Sequence, residues 1–507
     1  MSSSIPPVQL LGNAAQMLLE TAAADPARPA VIDGDATTRY SELAARSLGI
    51  ARTLQSVGVE PDDRVAVFLH RGAEAAAAFF GVLACGAIAV TVNESLRPRQ
   101  VEYILGHAGA SLLLTSSDLT RRLPRPLETS ARVLDLDDAL PSDSFQAVAR
   151  VGGDVAHIIY TSGSTGLPKG VTISHENLWA GMAAVVDYVG ITSNDRIASL
   201  LPFSFDYGLN QLLCCAGTGA TLVVERSPIP HRIVGALRSE EVTVLPAVPP
   251  LWLQLLTVEG FRERLPALRV MTNTGGRLPI DAVRQLRRCQ PHADLVLMYG
   301  LTEAFRSTYL APDAVDRKPG SIGKAIPGAE ILVLNERLER CGPGETGQLV
   351  HRGATVALGY WNDPDTTSLV FRPYPLRPPG TPDSERVVFS GDLVYQDEDG
   401  DLFFVSRKDK LIKTLGYRVS PDEVADALYG SGEVVEALVT SEPDDLRGAR
   451  IVAYVVLSDN GRLDRLKAFC ARELPRYMQP SRIEVRPALG RTPSGKHDPA
   501  ATVAQLR

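Results

Sequence analysis

Cysteine, histidine and aromatic residues are scarce in this sequence, and their scarcity excludes several classes of protein. Six cysteines in 507 residues are too few for a disulfide framework, and none of them forms a C-x-x-C pair. The eight histidines are scattered, so no cysteine–histidine cluster of the kind that binds zinc is present. Aromatic residues make up 6% of the chain, and no basic stripe is interleaved with them. We therefore expect no nucleic acid partner.

An excess of one charge and a long apolar run are also lacking. The chain has 52 basic and 59 acidic residues, a formal net charge of −7, which is typical of a globular protein that is not membrane-bound. Its first residues, MSSSIPPVQL, lack the basic start and apolar core of a signal peptide.

Residues 75–92 carry no charge and approach the shortest membrane span, about 18 residues, but Gly81 and Gly86 interrupt them. A buried helix ending near Cys85, followed by a strand at 88–92, explains this segment better. We expect a cytoplasmic protein without a membrane partner.

Helix and strand patterns alternate from about residue 40 to about residue 320. Leu43, Ile50 and Leu54 recur at the spacing of one helix face. Short apolar runs typical of buried parallel strands lie at 65–69, 111–114, 156–160, 197–200, 221–224, 242–245 and 296–298. Such alternation predicts an α/β fold with parallel sheets covered by helices.

The pattern changes after about residue 320. Strands predicted at 330–334, 347–350 and 386–389 are joined by turns rich in glycine and proline, as in a small β-barrel. Residues 397–401 (DEDGD) contain an Asp-Gly step that predicts a hairpin turn. Helices return at 421–428 and 463–473, and we place a domain boundary at 406–413.

The segment from residue 160 to residue 170, YTSGSTGLPKG, is the strongest chemical signal in the sequence. It follows an apolar strand and precedes a helix that is predicted to start near His175, with Ser174 as the N-cap. Its glycines let backbone N–H groups approach an anion, its hydroxyls donate hydrogen bonds, and Lys169 supplies charge. It is not a Walker A loop, because no G-K-[ST] follows the required gap. We interpret it as a polyphosphate-binding loop rather than a linker.

A second segment, GRTPSGKH at 490–497, comes close to the Walker pattern without matching it. His497 stands where the pattern requires a hydroxyl residue, and Pro493 lies inside the loop. We therefore reject a P-loop here. What remains is Lys496, presented by a tight Pro-Ser-Gly turn.

Five short motifs occur in order along the chain: TSGSTGLPKG from Thr161, YGLTE from Tyr299, SGD from Ser390, SRKD from Ser406 and PSGK from Pro493. Together they resemble the motif series of the adenylate-forming superfamily, which comprises acyl-CoA synthetases, adenylation domains of nonribosomal peptide synthetases and beetle luciferases. The resemblance covers essentially the whole chain. It implies an α/β fold with a large N-terminal adenylation domain (1–405) of two helix-covered, parallel-type sheets plus a small β-barrel. A hinge (406–413) and a small mobile α+β C-terminal domain (414–507) would follow.

The resemblance also implies a role for each motif residue. The loop that holds the β- and γ-phosphates would consist of Thr161, Ser162, Gly163, Ser164, Thr165, Gly166 and Lys169. The adenine would be bordered by Gly275, Gly276, Arg277 and Tyr299, and Gly300 and Leu301 would also contribute to nucleotide binding. Thr302 would reach the α-phosphate, Glu303 would hold Mg²⁺, and Asp392 would accept the ribose hydroxyls beside Arg407. Asp409 would be the hinge residue. In the C-terminal domain, Lys496 would bridge the acid and the α-phosphate, and the Gly416 region would line a pantetheine tunnel.

The implied reaction joins a carboxylic acid to AMP with release of pyrophosphate and then transfers the acyl group to a thiol. ATP and Mg²⁺ are the implied cofactors, and the thiol is CoA or the phosphopantetheine of a separate carrier protein. The acid pocket, placed by analogy, contains Asp206, Tyr207, Asn210, Asn273, Val296 and Met298. Asp206 matches the position where amino-acid-activating relatives keep an aspartate for the substrate ammonium. The other interpretation is that Asp206 pairs with a protein group or caps a helix.

The segments at 201–211 and 299–309 narrow the resemblance further. They are similar to two groups of enzymes without an attached carrier domain: exosortase-associated AMP-forming acyl-CoA ligases and L-prolyl carrier-protein ligases. Three hypotheses follow. The favoured one is an acid–CoA ligase, the second is an amino-acid-activating enzyme that loads a separate carrier protein, and the third is a relative recruited to oxidation or to binding alone. Retention of both Lys169 and Lys496 argues against mere binding.

Overall fold

Parallel strands alternate with helices through the first 300 residues, as the sequence pattern predicts. The computed structural model describes residues 12–124, 129–136, 145–162, 168–408, 412–414, 417–444, 448–492 and 497–504. The helices in this part of the chain are α1 (Gln16–Ala24), α2 (Tyr40–Ser56), α3 (Ala73–Ala84), α4 (Pro98–Ala108), α5 (Ser117–Thr120), α6 (His175–Val189), α7 (Asp206–Thr218), α8 (Pro230–Ser239), α9 (Pro249–Thr257), α10 (Glu259–Arg262), α11 (Ile280–Cys289), α12 (Pro312–Val315), α13 (Pro364–Val370), α14 (Pro421–Gly430), α15 (Leu463–Glu473) and α16 (Pro499–Ala504).

The strands of the same residues are β1 (Pro29–Asp33), β2 (Ala36–Arg39), β3 (Arg64–Phe68), β4 (Ile88–Thr91), β5 (Leu112–Thr115), β6 (Arg132–Asp135), β7 (Val155–Ser162), β8 (Pro168–Ser174), β9 (Arg196–Ser199), β10 (Thr221–Val224), β11 (Val244–Ala247), β12 (Val270–Asn273), β13 (Asp294–Tyr299), β14 (Thr308–Leu310), β15 (Lys324–Ala325), β16 (Ala329–Leu334), β17 (Gly347–Gly353), β18 (Gly359–Tyr360), β19 (Phe371–Pro373), β20 (Arg386–Gln396), β21 (Leu402–Arg407), β22 (Ile412–Thr414), β23 (Tyr417–Val419), β24 (Val434–Asp444), β25 (Gly448–Leu457) and β26 (Arg482–Val485).

Two large sheets form the N-terminal part, which confirms the predicted α/β fold. The first has the order β15-β14-β13-β12-β11-β9-β10-β1-β2, and its six central strands are parallel. The second has the order β18-β8-β7-β4-β3-β5-β6, and the five strands from β7 to β6 run parallel to one another. In both sheets antiparallel strands occur at an edge, where hairpins can add them without a crossover. Strand β11 begins at Val244 rather than at residue 242, because the Val242 N–H donates to Leu237 O at the end of α8.

The uncharged stretch at 75–92 forms helix α3 and strand β4, as predicted. Ten of the helix residues from Ala75 to Ala84 are buried, since the sheet and α2 cover them. No helix in the described part of the chain is long and apolar enough to cross a membrane. Helices α2 and α3 approach closely at Gly81: a Cβ placed there would lie 2.7 Å from Ser47 O and 2.9 Å from Ile50 Cβ.

A five-stranded antiparallel sheet occupies the region where a small β-barrel is predicted. Its strand order is β16-β17-β20-β19, and β21 pairs with the C-terminal half of β20. The predicted Asp-Gly hairpin joins β20 to β21, and Gly400 has a φ of 82° there. The carboxylates of Asp397, Asp399 and Asp401 converge at this turn, and Lys318 Nζ contacts them at 2.6, 2.8 and 2.7 Å. The ammonium of Lys318 thus lies among the three carboxylates and offsets one of their three negative charges.

The C-terminal part has its own core. Sheet β24-β25-β26 packs against α14 and α15, and the hairpin β22-β23 lies on the same core. It contacts the N-terminal part through an ion pair between Arg277 and Asp426 of α14, and through a hydrogen bond from Ser420 Oγ to Val405 O of 2.8 Å.

We predict that Gly81→Ala destabilises the protein although alanine favours helices. The added methyl must displace the backbone of α2, and overpacking of this kind costs about 1–3 kcal/mol, against a propensity gain of about 1 kcal/mol. Gly106→Ala in α4 is the matched control, because nothing lies within 4 Å of a Cβ there. Chemical denaturation should show a loss for Gly81→Ala and a small gain for Gly106→Ala; equal stability of the two variants would contradict the packing described.

Candidate active site

The ends of the predicted phosphate loop lie on two paired strands. Strands β7 and β8 are antiparallel, and Thr161 lies directly opposite Lys169. The loop is therefore a hairpin connection, and strand β8, which was not predicted, lies between it and the following helix. Helix α6 begins at His175 as predicted, and Ser174 Oγ accepts a hydrogen bond from Asn177 N–H at 3.1 Å. The residues Gly163, Ser164, Thr165 and Gly166 and the side chain of Ser162 lie outside the described part of the chain.

Tyr360 connects the lysine of the loop to the predicted metal ligand. Lys169 Nζ lies 5.5 Å from the centroid of the Tyr360 ring and 3.4 Å from Thr366 Oγ1. The Tyr360 hydroxyl donates to Glu303 Oε1 at 2.5 Å. Burial, and secondly the charge of Glu303, raise the pKa of Tyr360, so the hydroxyl stays protonated as a donor. A cation and a carboxylate thus flank one tyrosine. The ammonium of Lys169 suits a phosphate, and the carboxylate of Glu303 suits a hard divalent cation.

Sequence reasoning missed Tyr360. Its signal in the sequence was the segment Gly359-Tyr360-Trp361, between the strands predicted at 347–350 and 386–389. The short strand β18 pairs with β8 and so carries the tyrosine to the base of the phosphate loop. This pairing between distant segments is not visible in local sequence.

A tight turn after β13 presents Thr302 and Glu303. Gly300 approaches the returning chain so closely that a Cβ would lie 2.5 Å from Phe305 O. Phe305 itself has a φ of 59°, in the left-handed region. The Ser307 N–H donates to Tyr299 O at 2.9 Å and closes the turn, while Ala357 N–H donates to Glu303 O at 2.9 Å and anchors it to the neighbouring sheet.

A buried carboxylate lies where the ribose is predicted to bind. Asp392 is 5% exposed, and its backbone N–H donates to Ser390 Oγ at 3.0 Å. Arg407 faces it across the β20–β21 ladder, with Nη1 3.3 Å from Asp392 Oδ1. Tyr299 donates its hydroxyl to Asp392 Oδ2, and burial, together with that negative charge, raises the pKa of Tyr299. The hydroxyl and guanidinium thus fix the orientation of the carboxylate.

The predicted adenine-binding residues follow two adjacent strands. β12 and β13 are parallel neighbours, so the segment after Asn273 and the segment after Tyr299 leave the same edge of the sheet. Gly275 has a φ of 81° in the first of these segments. Arg277 points toward the C-terminal part, where it pairs with Asp426. Leu301 packs with the cluster that includes Ala304.

A cavity between α6, α7 and β7 contains part of the predicted acid pocket. It is lined by His157, Ile159, Ile173, Asn177, Leu178, Gly181, Met182, Asp206, Leu209, Asn210, Leu213, Thr302, Phe305, Thr355 and Ala357. Asp206 and Asn210 were predicted to line the pocket, whereas His157 and Phe305 were not predicted. Since Thr302 is also on the wall, the cavity meets the predicted phosphate site at this residue.

Other predicted pocket residues are not among those that line this cavity. Val296 and Met298 on β13 are packed in the core and are not among the residues that line the cavity. Tyr207 donates its hydroxyl to Thr272 O at 2.9 Å, and Asn273 Nδ2 donates to Gly276 O at 3.2 Å. The pattern of β13 indicated which residues are buried, but not which side of the sheet faces the cavity.

Asp206 pairs with a protein group, in agreement with the second interpretation of this residue. Its Oδ2 lies 3.2 Å from Arg306 Nη1, and its Oδ1 accepts the Tyr207 N–H at 2.7 Å in the first turn of α7. Arg306 is 2% exposed, and its guanidinium lies 4.9 Å from the Tyr207 ring centroid and 4.6 Å from that of Phe305. Sequence reasoning did not select Arg306, because a buried arginine is rare and its partner is distant in sequence.

The predicted hinge residue Asp409 and two predicted residues of the C-terminal domain, Gly416 and Lys496, lie outside the described residues. Their roles stay predictions.

The fold and the site together define a two-part α/β protein with groups suited to a nucleotide and, beside them, a small cavity lined mostly by apolar side chains. Comparison with known families agrees with this class. The profile of the family described as "AMP-binding enzyme" matches residues 18–361, and "AMP-binding enzyme C-terminal domain" matches residues 423–496. The chain belongs to this family of adenylate-forming enzymes.

Relatives match over nearly the whole chain. Novobiocin biosynthesis protein H of Streptomyces niveus is 31% identical over 503 residues, which cover 96% of this chain and 81% of that protein. Tyrocidine synthase 3 of Brevibacillus parabrevis is 29% identical over 497 residues, but the chain spans only 8% of its length.

Solved structures share the fold over nearly the whole chain. The o-succinylbenzoate CoA synthetase of Bacillus subtilis, in complex with the acyl-adenylate intermediate OSB-AMP, has a TM-score of 0.84 and 26% identity, covering 97% of this chain and 98% of that one. A benzoate CoA ligase from Burkholderia xenovorans LB400 has a TM-score of 0.84 and 26% identity, covering 96% and 98%.

We predict that Asp392→Asn weakens AMP binding by about 10- to 100-fold. The substitution keeps the shape but removes a charged acceptor, and hydrogen bonds to charged groups contribute about 1.5–3 kcal/mol. Asp459→Asn, at an exposed position, is the matched control. Calorimetric titration with AMP measures both. Unchanged affinity in Asp392→Asn would show that the ribose binds elsewhere.

Proposed function

We propose that the protein uses ATP to convert a carboxylic acid to an acyl-adenylate, and then transfers the acyl group to the thiol of CoA. The observation that carries this proposal is the position of Thr302. It lines the cavity for the acid and directly precedes Glu303, whose carboxylate is joined to Lys169 through Tyr360. An acid in the cavity and the phosphates of a nucleotide would therefore meet at one residue.

In the first half-reaction, an oxygen of the acid attacks the α-phosphorus, and the bond to the β-phosphate breaks. Lys169 and the backbone of the phosphate loop stabilise the charge on the departing pyrophosphate. Thr302 donates to the α-phosphate, and Asp392 orients the ribose. Glu303 would hold Mg²⁺, which supplies a hard positive charge that neutralises phosphate oxygens. In the second half-reaction, a thiolate attacks the acyl carbonyl carbon and AMP leaves.

CoA is the proposed acceptor because the solved neighbours include enzymes named as CoA synthetases and CoA ligases at 26% identity. A second candidate is an amino-acid-activating enzyme that loads a carrier protein. The relatives among nonribosomal peptide synthetases support that candidate.

Pyrophosphate exchange over a panel of aliphatic, aryl and amino acids tests the first half-reaction. Incubation of each active acid with CoA and with a phosphopantetheinylated carrier protein then tests the second. We expect exchange with at least one acid and a CoA thioester as product. Absence of exchange with every acid would contradict the proposal, and acylation of the carrier alone would favour the second candidate.

We predict that Lys496→Ala slows adenylation by two to three decades, because removing one preorganised positive group at such a transition state costs about 3–4 kcal/mol. By analogy with the family, the C-terminal domain rotates about Asp409 between the half-reactions and replaces Lys496 by the Gly416 region. Lys496→Ala should therefore still convert a supplied acyl-adenylate to thioester.

Asp409→Pro is the complementary variant, since a fixed φ restricts the hinge and should slow thioester formation more than adenylation. Separate assays of the two half-reactions in both variants distinguish these effects. Equal slowing of both halves by Lys496→Ala would contradict domain rotation.

We predict that mild acid favours the described arrangement of the two domains. Burial raises the pKa of Asp426 to about 6, Arg277 opposes this rise, and Asp422 and Glu423 add to it. A carboxyl with a raised pKa binds its proton more tightly in that arrangement than in one where water surrounds it. Lowering the pH from 7 to 5 should therefore shift the population toward the arrangement in which Asp426 faces Arg277.

Energy transfer between one dye on each domain measures this shift. Asp426→Asn, which has no proton to bind, should show no change with pH over the same range. A shift away from the described arrangement in acid, or the same pH response in Asp426→Asn, would contradict the prediction.

A further inference from the structure

The carboxylate of Asp206 is already used by the protein on both of its oxygens. Oδ1 accepts the Tyr207 N–H at 2.7 Å, and Oδ2 lies 3.2 Å from Arg306 Nη1. Asp206 is 8% exposed and lines the cavity for the acid. An ammonium group on a substrate would have to compete with a full positive charge that is part of the chain.

Arg306 is bound firmly in this position. It is 2% exposed, its Nη1 also donates to Phe305 O at 2.7 Å, and the rings of Tyr207 and Phe305 lie 4.9 and 4.6 Å from its guanidinium carbon. Among the described residues, its Nε and Nη2 atoms have no hydrogen-bond partner. Among the described residues, Asp206 is thus the carboxylate that compensates the charge of this guanidinium. Diverting Asp206 to a substrate would leave a buried charge without its partner, which is strongly unfavourable.

The rest of the wall matches an uncharged acyl group. Most of the side chains that line the cavity are apolar, among them Ile159, Ile173, Leu178, Met182, Leu209 and Leu213. His157, the buried histidine of the wall, is neutral near pH 7, because burial lowers its pKa to about 3. With Asp206 neutralised by Arg306, the wall carries no net charge to attract an ammonium ion.

We propose that Arg306 is an internal counter-ion that makes the enzyme select carboxylic acids without an α-ammonium group. This inference rests on the proposed function, and it names the substrate class of the same site. It also predicts how the selectivity is changed: removal of Arg306 alone leaves Asp206 free to bind an ammonium group.

The test uses stable analogues of acyl-adenylates, N-acylsulfamoyl adenosines, in three matched pairs. The acyl groups are acetyl and glycyl, isovaleryl and valyl, and 3-phenylpropanoyl and phenylalanyl; the members of each pair differ only in the α-ammonium group. Calorimetry gives the affinity of the wild-type protein, Arg306→Met and the double variant Arg306→Met with Asp206→Asn. Thermal unfolding of each protein shows whether it is folded.

We expect the wild-type protein to bind the ammonium-free member at least tenfold more tightly in every pair for which binding is measured. Arg306→Met should reverse this preference, and the double variant, which has neither charge, should lose the reversal. Arg269→Met, which breaks another arginine–aspartate pair at Asp195, is the control and should keep the wild-type preference. If Arg306→Met does not fold, the folded double variant compared with the wild type still tests the role of the pair in selectivity.

Equal or tighter binding of the ammonium-bearing members by the wild-type protein would overturn the proposal, as would a double variant that keeps the full wild-type discrimination. Pyrophosphate exchange with the six parent acids is measured in parallel and reports on the proposed function alone. Discrimination between the analogues without exchange from any acid would contradict the proposed function but retain the role of Arg306.

Discussion

The close return of the chain after β13 is the constraint on which the site depends. Gly300 allows the backbone at Phe305 to approach to a distance that no side chain at position 300 would permit. The resulting turn presents Thr302 and Glu303 on one side and directs Arg306 into the core on the other. Nucleotide chemistry and acid selection are therefore connected through a few consecutive residues. A change in this turn would alter both.

Much of the fold could be predicted from local sequence. Helices α2 and α15 and strand β10 lie where periodicity places them, because each buries one regular apolar face or a continuous apolar run. Strand β8 was missed because its first residues, Pro168 to Gly170, resemble a loop, although the antiparallel partner β7 orders them. The five motifs predicted the family, since their order along the chain is independent of how the domains pack.

Two residues of the candidate site were harder to predict. Tyr360 reaches Glu303 only through the pairing of β18 with β8, which joins segments far apart in sequence. Arg306 lies in the YGLTEAFRSTY segment, and nothing local indicates that its charge is buried beside Asp206. An aspartate at that position permits two opposite interpretations, ammonium binding or internal pairing. The geometry of the partner decides between them, and that geometry is a tertiary property.

A crystal structure with AMP and a carboxylic acid tests the account most directly. The account predicts that the ribose hydroxyls donate to Asp392, that the α-phosphate lies at Thr302, and that the acid occupies the cavity with the Asp206–Arg306 pair intact. A nucleotide bound away from Asp392 would contradict the assignment of the site. An acid whose charged substituent separates Asp206 from Arg306 would contradict the role proposed for that pair.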